Sequence, residues 1–534
     1  MRRFPLTAAV AAVALSGSAL SAQQFGPASG FTVENPVLRR IWSLGMDSSM
    51  LQRYGQVLFD SLGPRLTGSP DIERAQSWLV QTYQAMGITA RKDRYGTWRG
   101  WRRGRSHIDL LQPRVRTLEG TMLAWSPGTN RRPVRGDVII VPDLPDSNAF
   151  VQWLPQAAGK FVLISFPQPT CRPDSSWAQH ATRATFESMR AQRDTLQRAW
   201  TDRIARTGYP GGLSNANVAR RLDQAGVAGV ISSNWSQGWG VDKIFSAVTE
   251  RAPVFDVACE DYGLLYRLAL NNQGPVVEID AESEFLGEVP VFNVIGEIRG
   301  RELPNEYVML SAHFDSWYGA SGATDNGTGT ITMLEAMRLL RAAYPTPRRT
   351  ILAGHWSGEE MGLVGSGAFA ADNPRVVEGL QALFNQDNGT GRVVNLSSAG
   401  LVNASANLAR WLSNVPADLT RNITFAFPGS PAGGGSDNAS FICSGAPAFG
   451  LGSEQFDYFN YTWHTNRDTY DKLDWDDLRN NATLTAMLVY LASEDPQRVP
   501  RDRRTVFSPG QGGRPGAWPT CGQVLRATPT PPTR

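Results

Sequence analysis

The sequence predicts an α/β protein, an open mixed or parallel sheet with helices on both faces, into which a mostly β domain is inserted. From about residue 289 onwards, strand-like apolar runs alternate with helical stretches such as 331–343, which is typical of an open α/β sheet. The strand-like runs are 308–312, 350–354, 382–385 and 448–451. Residues 117–287 differ, because short β-like runs separated by Gly, Pro and Asp dominate there.

The domain boundaries follow from this change in character. We expect a signal peptide at 1–22, a discontinuous α/β domain at 23–116 and 288–498, the inserted domain at 117–287, and a Pro- and Gly-rich tail at 499–534. The composition of the tail indicates an extended or disordered segment, apart from any anchor at Cys521.

The N-terminus has the pattern of a cleavable secretory signal. Arg2 and Arg3 form a charged start, an apolar run covers 6–15, and small residues lead up to Ala22. The apolar run is short for a bilayer span, so an uncleaved membrane anchor is the weaker alternative. No later stretch is long and apolar enough for a transmembrane helix. The sequence therefore predicts a secreted or periplasmic protein with no stable membrane span.

The sequence contains clear helix and strand patterns both before the inserted segment and within it. Residues 37–46 have a helical apolar pattern, and the connector GPRLTGSPD precedes a second helix that Asp71 could cap and Gly87 could end. The apolar positions of that helix are Ala75, Trp78, Leu79 and Tyr83. The β-like runs of the inserted domain are 138–141, 161–164, 229–231 and 276–279, with a charged helical stretch at 181–206.

Composition limits the function classes. The chain of 534 residues is long enough for two or three domains, and its net charge of +3 gives no sign of a nucleic-acid partner.

The four cysteines could form two disulfides in three pairings. We favour Cys171–Cys259 and Cys443–Cys521, because each pair then lies within one segment of the chain. No CxxC spacing occurs, so a cysteine zinc site is not expected.

A series of histidines and acids follows the strand-like runs of the α/β domain. It begins in LSAHFDSWYGASGATDNGTGT at 310–330, and two of the five histidines of the chain belong to it. The candidate metal ligands, in chain order, are His313, Asp325, Glu360, Asp387 and His464. Because ligands of open α/β sheets bind beyond the carboxyl ends of the strands, we expect these side chains to converge.

The residue types suit a centre with two Zn²⁺ ions. Such a centre needs N and O ligands and a carboxylate between the ions, and Asp325 in its Gly-rich turn suits that bridge. Asp315 could accept the proton of the second ring nitrogen of His313 and fix its tautomer. Glu359 should point away from its neighbour Glu360 and act as the general base for a metal-activated water.

Each of these residues also has an ordinary structural interpretation. An acidic pair such as Glu359 and Glu360 at a helix start is often surface charge that the helix dipole favours, and Asp387 could be a turn residue. The order of the series and its position at strand ends favour the metal site. His355 lies inside a strand-like run and is interpreted as a packed histidine, and His107 and His180 as surface or structural ones.

At this point the sequence resembles the M28 family of co-catalytic zinc exopeptidases. The matching motifs are RLTGS at 65–69, SAHFDS with ATDNGTG, SGEEMGLVGS, NQD and WHTNRDTYDKL. The inserted segment resembles the protease-associated (PA) domain often found in this family, and the layout is most similar to secreted bacterial relatives of carboxypeptidase Q.

The resemblance implies roles for individual residues. It implies one ion held by His313, Asp325 and Asp387, a second held by Asp325, Glu360 and His464, and Glu359 as the base. It also implies a structural role for Asp468 and a cis peptide bond between Asp325 and Asn326.

Two positions depart from the family pattern and concern the substrate pocket. Trp463 stands where some relatives have a Tyr before the last histidine, and Asn438 stands where a His commonly follows the Asp of the GGGSD loop. The candidate pocket residues are Trp317, Tyr318, Gly434, Ser436, Tyr461 and Trp463. For the aromatic side chains, packing in the core is an equally good interpretation.

The predicted function is that of a secreted dizinc exopeptidase acting on peptides or dipeptides. Acids outnumber basic groups near the ligands, so recognition of a free amine, as in an aminopeptidase, is slightly favoured over recognition of a carboxylate, as in a carboxypeptidase or dipeptidase. One alternative is a glutaminyl-cyclase-like acyltransferase with one zinc, and another is a receptor-like relative without activity. The inserted domain could cover the crevice, bind the far end of the substrate or form a homodimer contact.

Overall fold

The computed structural model describes residues 34–212, 215–387, 389–504 and 517–529. The predicted signal peptide lies outside these residues. In the described part of the chain, no helix is both long and apolar enough to cross a membrane. The helices are α1 (Pro36–Asp47), α2 (Leu51–Gly55), α3 (Pro70–Ala85), α4 (Ser147–Ala157), α5 (Asp174–His180), α6 (Arg183–Arg206), α7 (Ala216–Gln224), α8 (Cys259–Leu270), α9 (Thr328–Ala343), α10 (Val364–Asp372), α11 (Pro374–Gly379), α12 (Ala404–Ser413), α13 (Ala417–Thr420), α14 (Ala439–Ile442), α15 (Tyr458–Tyr461) and α16 (Trp475–Glu494).

The strands form one sheet that runs through the α/β part of the chain and the inserted segment. The strands are β1 (Thr89–Gln112), β2 (Arg116–Leu118), β3 (Gly120–Met122), β4 (Val134–Ile140), β5 (Phe161–Leu163), β6 (Gly229–Ser232), β7 (Val254–Val257), β8 (Val276–Ile298), β9 (Leu303–His313), β10 (Arg349–Trp356), β11 (Leu380–Asn385), β12 (Val393–Ser397), β13 (Thr424–Ala426) and β14 (Ala448–Ser453). Their order in the sheet is β13-β12-β14-β11-β9-β10-β8-β4-β5-β6-β7-β3, and β1 pairs with β2 and β8.

The centre of the α/β domain is the parallel group β14-β11-β9-β10. All four strands predicted there are present, and so is the helix predicted at 331–343. Neighbouring residues of β10 face opposite sides of the sheet: His355 meets Tyr83 of α3, whereas Trp356 meets Phe369 of α10 and Phe441 of α14. Helices therefore cover both faces of the sheet, as the sequence predicts.

The start of α3 corrects one expectation. Ser69, not Asp71, caps this helix, because the Ser69 side chain accepts a hydrogen bond from the backbone N–H of Ile72. Pro70 then occupies the first helical position, and Asp71 lies in the first turn, where the helix dipole favours a negative charge. Gly87, two residues beyond the end of α3, has a φ of 71°, which glycine adopts readily.

The inserted segment differs from the mostly β domain that the sequence suggests. Five helices, α4 to α8, lie between 147 and 270 and contain more residues than the short strands around them. The strands β4, β5, β6 and β7 are parallel, and parallel neighbours need crossover connections, which helices usually supply. The short β-like runs that the sequence shows in this segment are thus parallel strands connected by helices, as in βαβ units.

A long antiparallel ribbon of β1 and β8 joins the α/β part of the sheet to the inserted segment. Its pairing continues from Thr89–Glu297 at one end to Gln112–Val276 at the other. β10 pairs with the end of β8 that lies in the α/β domain, and β4 with the end that lies in the insert. The proposed boundary at 287/288 therefore falls inside a continuous strand.

The favoured disulfide pairing is confirmed, since Cys171 bonds to Cys259 and Cys443 to Cys521. The described part of the tail, 517–529, contains no helix or strand, but it is held by more than Cys521. The backbone N–H of Thr97 donates to the carbonyl of Arg526, and Arg526 pairs with Asp372. This segment therefore runs along the α/β domain as an attached strap.

Candidate metal centre

The predicted ligands meet at one edge of the parallel group of strands. His313 is the last residue of β9, Asp387 follows β11 by two residues, and Glu360 follows β10 by four. Because β9 is parallel to both β10 and β11, their carboxyl ends lie at the same edge of the sheet. The convergence expected from the sequence is therefore present.

Two sets of three side chains are close enough to hold a metal ion. The ligand atoms of His313, Asp325 and Asp387 lie within 4.8 Å of one another, and so do those of Asp325, Glu360 and His464. In the first set, Nε2 of His313 lies 3.1 Å from Oδ1 of Asp387. In the second set, Nε2 of His464 lies 2.9 Å from Oε2 of Glu360.

Asp325 belongs to both sets through different oxygen atoms. Its Oδ1 lies 3.3 Å from Nε2 of His313, and its Oδ2 lies 3.3 Å from Nε2 of His464. The carboxylate thus lies between the two histidines with one oxygen towards each. The peptide bond between Asp325 and Asn326 is cis, as the family resemblance implies.

The turn that carries Asp325 is fixed by Asp468. The Asp468 carboxylate accepts hydrogen bonds from the backbone N–H groups of Thr324 (2.6 Å) and Asp325 (3.0 Å). Burial raises the pKa of Asp468 to about 7. Asp468 therefore holds the backbone of Asp325 and belongs to neither set of candidate ligands.

The carboxylate of Asp315 is not the group nearest Nδ1 of His313, although the sequence suggested that it could accept the proton of that nitrogen. Nδ1 of His313 lies 3.1 Å from the main-chain carbonyl oxygen of Asp315 and 3.7 Å from its carboxylate. The carboxylate instead accepts hydrogen bonds from the Thr67 hydroxyl (2.9 Å) and the Glu359 backbone N–H (3.2 Å). The carbonyl group can fix the tautomer of His313, and the carboxylate ties the Glu359 turn to the RLTGS segment.

The two neighbouring glutamates are both in a buried, acidic environment. Burial raises the pKa of Glu359 well above its usual range, and the nearby carboxylates of Asp387 and Asp437 add to this. Burial also raises the pKa of Glu360, and Asp325 adds to it. Oε2 of Glu360 accepts a 2.7 Å hydrogen bond from the Trp317 indole. Glu360 is thus fixed among the ligands, while Glu359 lies near the same acids without belonging to either set.

The side chains of the two candidate ligand sets have the chemistry that metal cations require. Among the described residues, Oδ2 of Asp325 and Oε1 of Glu360 are buried and have no hydrogen-bond donor. Buried carboxylate oxygens without partners are costly, and a cation between them would remove that cost. Imidazole nitrogens and carboxylate oxygens are ligands typical of zinc.

The loop that carries His464 is unusual in its backbone and in its neighbours. His464 has a φ of 57°, in the left-handed region that non-glycine residues rarely adopt. Its ring stacks on the Trp463 ring at 4.0 Å between centroids and meets the edge of Phe245, a residue of the insert, at 5.2 Å. Burial lowers the pKa of His464 to about 4, which keeps the imidazole neutral, as a metal ligand must be.

The candidate pocket residues do not all lie in one place. Trp317 and Trp463 both contact the His464 ring, and Trp317 is only 7% exposed. Tyr318 is buried against Trp101. Tyr461 lines a cavity of about 510 Å³ that also touches Thr324 and Gly389.

The two candidates from the GGGSD loop lie elsewhere around the centre. Gly434 lines a separate, largely apolar cavity of about 580 Å³. The Ser436 hydroxyl accepts a 2.8 Å hydrogen bond from Asn385, the last residue of β11. Ser436 is thus attached to a strand end beside the ligands.

Sequence reasoning missed several residues around the centre. Tyr458 is buried close to Asp325. Asp437 is buried close to Asp387, and burial raises its pKa to about 7. Lys243 of the insert donates to the carbonyl of Trp463. The GGGSD motif marks Asp437, but nothing in the local sequence distinguishes Tyr458 or Lys243 from packed residues.

Comparison with known proteins identifies the family. The sequence profile of peptidase family M28 matches residues 293–489, which contain all five ligand positions. Residues 293–489 form a peptidase family M28 domain. Human carboxypeptidase Q is 24% identical over 446 residues, an alignment that covers 83% of this chain and 85% of that protein. The family places the chain among the metallo-exopeptidases.

Solved structures support the fold. A peptidase M28 precursor from Shewanella amazonensis SB2B has a TM-score of 0.64 at 21% identity and covers 87% of this chain and 97% of that one. A zinc aminopeptidase from Bacillus subtilis has a TM-score of 0.53 at 17% identity, over 85% of this chain and 96% of that one. The M28 peptidase fold therefore extends over most of the chain.

Proposed function

We propose that this protein is a secreted co-catalytic dizinc exopeptidase that hydrolyses a terminal peptide bond. The observation that carries the proposal is the position of Asp325, whose two oxygens each lie 3.3 Å from a different buried histidine. One ion would be held by His313, Asp325 and Asp387, and the other by Asp325, Glu360 and His464. Zinc at such a site supplies Lewis acidity to a carbonyl oxygen and lowers the pKa of water.

Glu359 is the group that moves protons in this proposal. It lies outside both ligand sets, and its backbone is fixed by Asp315. A raised pKa suits a carboxylate that takes a proton from the attacking water and returns it to the leaving amine. The nearby acids Asp387 and Asp437 add to this tendency to hold a proton.

Exchange of Glu359 for Gln tests this role. Glu359→Gln should lower kcat by roughly 10²–10⁴-fold, the usual contribution of a general base, and leave two zinc ions per chain. Metal content measured by mass spectrometry alongside peptide hydrolysis separates the two effects. Unchanged hydrolysis in this variant would mean that Glu359 is not the base.

The metal count distinguishes the proposal from a one-zinc acyltransferase. Two ligand sets joined by Asp325 support two ions per chain. A suitable side chain is present at all five ligand positions, which a receptor-like relative without activity would not require. A single ion per chain together with cyclisation of N-terminal glutamine peptides would favour the acyltransferase instead.

We further propose that the enzyme recognises a free amine, as an aminopeptidase does. Two buried basic side chains close to the centre are occupied by main-chain carbonyls: Arg65 donates to Phe314 and Gly322, and Lys243 donates to Trp463. They are not free to bind a substrate carboxylate, whereas acids are plentiful. Peptides with free and with blocked N-termini test this point, and cleavage of N-blocked dipeptides at an undiminished rate would indicate a carboxypeptidase.

A further inference from the structure

Residues 242–245 of the inserted segment lie against the loop that carries His464. The backbone N–H of Ile244 donates a 2.7 Å hydrogen bond to the carbonyl of His464, and Lys243 forms an antiparallel bridge with Thr465. The backbone of a ligand residue is thus paired with the backbone of the insert. No such contact from the insert is found in the described surroundings of His313, whose carbonyl accepts from Thr330 of α9.

Lys243 fixes the turn that precedes His464. Its ammonium group donates to the carbonyls of Trp463 (2.7 Å) and Phe459 (3.2 Å) and lies 4.5 Å from the centroid of the Trp463 ring. The residue is 7% exposed and forms no ion pair with any described residue. A buried ammonium without a paired carboxylate is costly, so its place here must be stabilised by these carbonyls, by the ring and by the more distant charge of Asp325.

The imidazole of His464 is enclosed by two aromatic rings that this segment positions. The Trp463 ring lies almost parallel to it, at 26°, and Lys243 lies over that same indole. The Phe245 ring meets the imidazole edge-on at 74°. A left-handed backbone at a histidine persists only where its surroundings enforce it, and the insert supplies one of the enforcing contacts, the hydrogen bond from Ile244 to the His464 carbonyl.

We propose that Lys243 and Phe245 are positioning residues through which the insert sets the affinity for the ion held by Asp325, Glu360 and His464. The ion held by His313, Asp325 and Asp387 shares Asp325 with this site, but no hydrogen bond of the described residues joins its ligands to the insert. The proposal rests on the dizinc function proposed above. Loss of a residue that orients a metal ligand typically lowers metal affinity roughly 10–100-fold.

The test is a titration of bound zinc with the variant Lys243→Met, which keeps the length of the side chain and removes its charge and hydrogen bonds. The full-length protein is dialysed against chelators of graded affinity, and zinc per chain is counted by mass spectrometry. We expect one of the two ions to bind roughly 10–100-fold more weakly while the other is unchanged. Lys472→Met, at an exposed lysine that pairs with Asp471, is the matched control and should bind both ions like the wild type.

Two further variants make the outcome decisive. His464→Ala removes a ligand of one ion and so identifies which ion the Lys243→Met variant weakens. Phe245→Leu removes the aromatic ring but keeps an apolar side chain. This variant provides the test if circular dichroism shows that Lys243→Met does not fold. Equal weakening of both ions in Lys243→Met and Phe245→Leu, or no change in either, would overturn the positioning role. Fewer than two ions in the wild type would instead overturn the dizinc function itself.

Discussion

The two halves of the metal centre are built in different ways. His313 ends a central strand, has a side chain that is 1% exposed, and is oriented by a carbonyl two residues away. His464 lies on a loop in a left-handed conformation, has a side chain that is 10% exposed, and is held by residues of the insert. The comparison shows that the edge of the sheet positions His313 through local backbone geometry. The position of His464 depends instead on contacts between parts of the chain that are distant in sequence.

Removing the shared ligand should break both halves at once. Asp325→Asn leaves an amide between the two histidines and removes the negative charge that offsets two cations. We expect both ions to bind more weakly by more than the roughly 10–100-fold that loss of an orienting partner costs, and hydrolysis to fall with them. Zinc counting and activity on an aminoacyl substrate check this. Retention of either ion at wild-type affinity would show that Asp325 is not a shared ligand.

A smaller change should affect the His464 half alone. Trp317→Phe removes the indole that donates to Glu360 at 2.7 Å but keeps an aromatic ring. We expect a roughly 10-fold loss of affinity for one ion. Trp411→Phe is the matched control, because that buried indole donates to Asp495, outside both ligand sets, and its loss should affect stability and leave zinc binding unchanged.

The last prediction concerns stability and a buried histidine outside both ligand sets. Burial lowers the pKa of His355 to about 3 from an ordinary value near 6.5. The folded state therefore keeps this ring neutral while the unfolded chain gains a proton, so stability is lost as the pH falls from about 6.5 towards 3, by up to about 1.4 kcal/mol per pH unit.

Urea unfolding at several pH values can isolate this contribution. His355→Gln should make the free energy of unfolding fall less steeply in that range than it does in the wild type. His107→Gln serves as the control, because its side chain is 57% exposed and pairs with Asp109 at the surface. An identical pH dependence for wild type and His355→Gln would mean that the ring is protonated in the folded protein.

The sequence alone was sufficient for the parts of this protein that depend on short stretches of chain. The strand-like runs predict β9, β10 and β11, and each carries its ligand at or just beyond its carboxyl end, because parallel strands bring these ends together. The pairing of Cys443 with Cys521, which lie 78 residues apart, is favoured by the sequence and is present.

What the sequence could not show depends on contacts made after folding. The helices of the insert were underestimated because its short β runs do not reveal that their neighbours are parallel. The Asp315 carbonyl, and not the carboxylate, lies nearest Nδ1 of His313, which is a matter of backbone geometry. Lys243 is more than two hundred residues from Trp463 in sequence, and no motif marks a lysine as a neighbour of a zinc ligand.

The β1–β8 ribbon has a mechanical consequence. With 24 and 23 residues, its strands are roughly 80 Å long if fully extended, and they cross from one domain into the other without a flexible linker. A swing of the insert away from the zinc ligands would have to bend this ribbon, and bending is easiest where the pairing register shifts, as it does between Gly100 and Trp101. The insert should therefore move relative to the α/β part of the chain by small elastic bending of this ribbon and not by rotation about a flexible hinge.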